Sequence, residues 1–80
     1  MELKSLKDLL PLATLLGVKV KLQAGGPAAA AFISFDTLLV TYSDKESEWR
    51  ALIKATVLLD GWANFKALHI DHQNKVVYVE

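Results

Sequence analysis

His69, Asp71 and His72 are the residues whose types and spacing come nearest to a chemical site, because neutral imidazoles and a carboxylate are ordinary ligands for zinc or nickel. In an extended strand residues two apart share a face, so His69 and Asp71 point one way while His72 points away or enters a turn. Convergence of all three requires a bulge that re-aims one of them. The plainer reading is a set of solvent-facing polar residues beside a hairpin turn. A small-ligand or metal-binding protein using this trio therefore stands as the alternative function, and no cofactor is expected.

Other reactive residue types are present without the pattern their chemistry needs. Ala24-Gly25-Gly26-Pro27 lacks the spacing of a phosphate-cradling loop and reads as a connection between strands. Ser34, Ser43, Asp36 and His69 contain the ingredients of a nucleophilic triad, yet no nucleophile-elbow signature surrounds either serine. Asp44, Glu46 and Glu48 fall where a helix begins, and the positive end of its dipole accounts for them. Cysteine is absent, which removes a disulfide framework, a thiolate metal site and a cysteine nucleophile together. The chain reads as non-enzymatic.

The elements that must position these residues follow from hydrophobic periodicity. Leu3, Leu6, Leu9, Leu10, Ala13 and Leu16 recur at helical spacing over 3–16, with Gly17 suited to end the helix. Pro11 is comfortable only in a first turn, so either Asp8 caps the helix or an earlier helix kinks there. Residues 18–23 alternate Val-Lys-Val-Lys-Leu-Gln, a strand with one buried face and with Lys19 and Lys21 on the other.

Two further strands are expected over 29–35 and 38–42, turning at Asp36-Thr37. Ser43 with Glu46 three residues on predicts a capping box opening a second helix over 44–60, with Trp49, Leu52, Ile53, Thr56 and Val57 on its buried face and Leu59 a further candidate for it. Runs 65–71 and 75–80 predict a final hairpin around His72-Gln73-Asn74. The order is αβ(β)βαββ, and the echo of helix, strand, strand allows a duplicated αββ unit.

The expected fold is therefore one α+β domain over 1–80, with two helices packed on one face of a mostly antiparallel sheet of four to five strands. Its expected core is Leu9, Leu16, Val20, Leu22, Phe32, Leu52, Ile53, Val57, Leu68 and Ile70.

Composition then bears on function. Nine basic and nine acidic residues leave a net charge of zero, evenly spread, so no electrostatic footprint for nucleic acid exists. No apolar run reaches the length of a membrane span and the first residues are too charged for a secretory leader, so a cytoplasmic protein is expected. Hydrophobic residues make up 52% of the 80 residues, with a mean hydropathy of +0.27. A domain this small has little interior in which to hide them.

The expectation is a protein-interaction module: a homodimer, an adaptor, or an inhibitor of a larger protein of the kind mobile elements encode. Val76-Val77-Tyr78-Val79 is strongly β-forming with no protective charge or proline, so it should be central in its sheet or paired across a dimer. Val77, Val79, Trp62, Ala29 and Ala31 are the residues expected to form the interaction surface.

Overall fold

The computed structural model describes residues 1–63 and 67–80, in the order β1 (Glu2–Leu3), α1 (Leu6–Leu15), β2 (Lys19–Ala24), β3 (Ala29–Ser34), β4 (Thr37–Tyr42), α2 (Lys45–Ala63), β5 (Leu68–Asp71) and β6 (Val76–Val79). The fold is α+β, with two helices packed against β-sheet. The Cα atoms span 33 × 32 × 16 Å, the dimensions of a thin slab.

Helix α1 begins at Ser5 rather than Asp8. The Asp8 carboxylate reaches back to accept the backbone N–H of Ser5 at 3.1 Å and of Lys4 at 3.0 Å, so Asp8 is the third helical residue of a capping box. Pro11 consequently lies inside the helix, on its exposed side. At the other end Gly17 adopts φ +76°, and the N–H groups of Gly17 and Val18 return to the carbonyls of Thr14 and Ala13 at 3.1 and 2.8 Å. This paired return is the Schellman closure, and it turns the chain sharply into β2.

Helix α2 is capped by Asp44, not by Ser43. Asp44 Oδ1 accepts the backbone N–H of Ser47 at 2.6 Å, while the Ser47 hydroxyl accepts the N–H of Ser43 at 3.1 Å. The helix continues through Gly61 to Ala63, past the expected end at residue 60. Its buried stripe is Ser47, Ala51, Leu52, Ala55, Thr56 and Leu59. With that stripe facing inward, Val57 falls on the outer side of the helix, at 48% exposure. Val57 is therefore not a core residue.

The expected single sheet is two sheets of three strands, with orders β1-β6-β5 and β2-β4-β3. In the second, β2 and β4 run parallel, from Lys19 opposite Thr37 to Ala24 opposite Tyr42, while β3 and β4 form an antiparallel hairpin. The cause is the loop at 25–28. It carries the chain across the end of β4, and the N–H groups of Gly25 and Gly26 both donate to the Tyr42 carbonyl, at 2.7 and 3.4 Å.

Thr41 Oγ1 fastens the same loop to β4 by donating to the Pro27 carbonyl at 2.7 Å. Gly25 takes φ +99°, a conformation other residues rarely adopt. Two strand spacings are about 9.5 Å, within reach of four extended residues. Because β2 and β3 are not neighbours whereas β5 and β6 are, the two halves do not repeat one αββ unit.

Residues 1–3 complete the first sheet by pairing with the other side of β6, Leu3 opposite Val77 and Glu2 opposite Tyr78. This makes β6 the central strand of its sheet. Val77 and Val79 are 0% and 5% exposed and belong to the core with Leu3, Leu6, Leu9, Leu38, Val40, Leu52 and Leu59. They are not an interaction surface. Leu16, Val20, Leu22, Phe32, Ile53, Leu68 and Ile70 pack around that core half-buried, and Leu9 and Leu52 lie fully within it.

Candidate functional site

The hairpin β5–β6 holds His69, Asp71 and His72, and its geometry assigns each a separate task. His69 stands opposite Tyr78, and the two rings stack with centroids 4.6 Å apart and planes 11° from parallel. Its Nε2 is shielded from water and lies 3.5 Å from Glu80 Oε1. Asp71 is committed to the turn: Oδ1 accepts the N–H of Gln73 and of Asn74 at 3.1 Å each, and Oδ2 accepts Asn74 Nδ2 at 2.8 Å.

The hydrogen bond from the Asn74 side chain, with those from the two backbone N–H groups and the charge of His72, holds the Asp71 carboxyl below its usual range. The left-handed position in this turn is occupied by Lys75, at φ 52°. His72 is exposed. Among the described residues no group of three His, Cys, Asp or Glu side chains is placed to hold a metal ion.

The triad ingredients are likewise dispersed. Ser34 Oγ and Thr37 Oγ1 both donate to Asp36 Oδ1, at 3.3 and 3.1 Å, which ties the β3–β4 turn, while His69 belongs to the other sheet. A cavity of about 270 Å³ opens at the start of α2 beside Pro27 and Ala28. Its charged groups are already engaged, Arg50 with Glu46 at 2.8 Å and Asp44 with the helix cap.

The feature these observations leave is strand β3 and what surrounds it. β3 is an edge strand, and among the described residues nothing pairs with its outer side. Its sequence, Ala29-Ala30-Ala31-Phe32-Ile33-Ser34, carries no charge and no proline. Ala29, Ala31 and Ile33 lie on the open face of the sheet and are exposed, Ile33 by 54%. Ala30 and Phe32 lie on the face covered by α2.

Between β3 and α2 runs an apolar groove of about 330 Å³, lined by Ala30, Ile53, Lys54, Val57 and Leu58. Lys54 closes its upper end by donating to the Ala28 carbonyl at 2.8 Å. At the other end stands an aromatic cluster. Trp62 stacks on Phe32 with centroids 5.3 Å apart and meets Phe35 edge-on at 5.1 Å, and Phe35 is 85% exposed.

Of the residues expected to form a surface, Ala29, Ala31 and Trp62 are thus gathered at this edge, while Val77 and Val79 are buried elsewhere. Sequence reasoning placed Val57 in the core, where the structure exposes it, and did not single out Leu58, Ile33 or Phe35 as surface residues. The register shift between Phe32 and Ser34 leaves Ile33 without a regular partner, and this bulge has no sequence signature. No protein-family model, curated protein or solved structure matches the chain.

Among the described residues no helix is long and apolar enough to cross a membrane.

Proposed function

We propose that this protein is a non-enzymatic interaction module that works by associating with another polypeptide, in the first place with a second copy of itself. The observation that carries this reading is the β3 edge: six residues without charge or proline, exposed along one side and continuous with an apolar groove. Natural sheets protect such an edge with inward charges, proline, bulges or a covering element, because unpaired backbone groups recruit other strands; here the bulge at Ile33 interrupts only one end of β3, and Ala29 to Phe32 stay in regular register with β4 and open on their outer side. A strand added there gains main-chain hydrogen bonds, and side-chain pockets beside it supply selectivity.

The polar residues support the same reading. Asp8, Asp36, Asp44 and Asp71 each close a cap or a turn, so the described aspartates with defined partners serve the scaffold. Sedimentation equilibrium over micromolar concentrations tests the proposal. The expected result is a mass that rises toward twice 8.8 kDa, and a mass fixed at 8.8 kDa throughout counts against self-association.

A further inference from the structure

We infer that the β3 edge is completed by the β3 strand of a second copy, laid antiparallel across a two-fold axis at Ala31, so that two three-stranded sheets become one of six strands. This rests on the self-association proposed above and adds its location and register.

The choice of edge comes from comparing the four that the two sheets offer. β1 is only two residues long, and β5 is four residues long and carries His69 and Asp71. β2 carries Lys19 and Lys21, which a two-fold pairing would set against their own copies. β3 alone among the described strands is both six residues long and uncharged at an outer edge.

The register follows from the pleat. Residues directly opposite in an antiparallel pair point to the same face, so a two-fold axis normal to the sheet must pair positions of equal parity. With Ala31 opposite Ala31 of the second copy, Ala30 falls opposite Phe32 on the helix-covered face, a small residue against a large one. Centring on Phe32 would instead press together two rings that already stack on Trp62, and would leave the groove at Ala30 unfilled.

The shape of the edge fits the same symmetry. In a two-fold interface one patch meets itself reversed, so whatever protrudes at one end must be received at the other. Here the groove of about 330 Å³ lies at the Ala30 end and the Phe32–Trp62–Phe35 cluster projects at the opposite end. Antiparallel pairing at Ala31 brings each cluster beside the other copy's groove. Of the residues lining the groove only Lys54 is charged, and its ammonium is held by the Ala28 carbonyl.

The test uses the absence of cysteine from the chain. Cα atoms directly opposite in an antiparallel pair are about 4.5 to 5.5 Å apart, inside the range a disulfide spans. Ala31→Cys should therefore form a covalent dimer under mild oxidation at micromolar concentration, while Lys19→Cys on the far edge stays monomeric. Both positions are exposed, and circular dichroism checks that each variant is folded.

A second variant, Ala31→Lys, sets two ammonium groups across the axis and should weaken association roughly tenfold or more. If the parent chain sediments as a dimer but Ala31→Cys cross-links no faster than Lys19→Cys, or folded Ala31→Lys associates as tightly as the parent, this edge and register are wrong and self-association stands on another face. A parent chain that stays monomeric overturns both. Capture of a strand from a different protein by that monomer would identify the other occupant of the edge.

Discussion

Trp62, on the last turn of α2, donates its indole N–H to the carbonyl oxygen of Leu16 at the end of α1, 46 residues earlier and 3.2 Å away. One side chain thereby satisfies a helix-terminal carbonyl, joins the ends of both helices and supports the aromatic cluster on Phe32 and Phe35. Trp62→Phe keeps one stacked six-membered ring but removes the donor together with the rest of the indole, and should cost about 1 to 2 kcal/mol. Trp62→Ala removes the ring as well and should cost about 3 kcal/mol. Urea denaturation measures both, and equal losses for the two variants would show that the retained ring contributes nothing.

The helix cap gives a sharper contrast. Asp44→Ala deletes the acceptor of the Ser47 N–H and should destabilise by about 1 kcal/mol. Ser43 contributes its backbone N–H to the Ser47 hydroxyl, which Ser43→Ala retains, so that variant should stay within about 0.5 kcal/mol of the parent. A reversed order in thermal or chemical unfolding would place the start of the helix one residue earlier.

The rotation of α2 is open to the same kind of measurement. Leu52 is fully buried, and Leu52→Ala should cost about 3 kcal/mol by leaving a cavity. Val57→Ala, at a half-exposed position, should change the unfolding free energy of the monomeric form by less than about 1 kcal/mol. A large loss at Val57 measured at dilution would turn the helix back to the face its periodicity first suggested.

The β5–β6 turn has a defined response to acid. Hydrogen bonding from Asn74 and Gln73 depresses the Asp71 carboxyl in the folded state below its value of 3.8 in the unfolded chain. The folded form thus binds that proton less readily. The contribution is fully present above the ordinary carboxylate range and is lost as pH falls through the lowered folded value. Asp71→Asn should therefore flatten the acid limb of the melting temperature, scanned from about pH 5 to about pH 2. An acid limb identical to the parent's would mean that the turn is held by its backbone alone.

What the sequence by itself determined is local. The alternation in Val20 and Leu22, the glycine that closes α1, the carboxylate-rich start of α2 and the turn between His72 and Lys75 are consequences of neighbouring residues, and each element appears within a few positions of where those residues put it. Cap identities were harder, because Ser43 and Asp44 are adjacent residues and Ser5 and Asp8 stand three apart, and each has a side chain able to cap. Their choice depends on where the preceding strand or loop releases the chain. The helix faces were ambiguous for another reason: α2 has apolar residues on two stripes, and the one buried is that of Ala51, Leu52, Ala55 and Leu59.

Tertiary structure alone decided which strands are neighbours. The loop at 25–28 has the composition of a hairpin turn, and only its passage over the end of β4, fixed by the Tyr42 carbonyl and Thr41, makes β2 and β4 parallel and leaves β3 at an edge. In the same way Val77 and Val79 read as a surface until Glu2–Leu3 returns to cover β6 from the far end of the chain. A pattern of apolar residues reports that a face will be buried. Which residues bury it is a matter of backbone hydrogen bonds made between distant segments, to which any strand of suitable length can contribute, and that is why the candidate interaction edge emerged only from the fold.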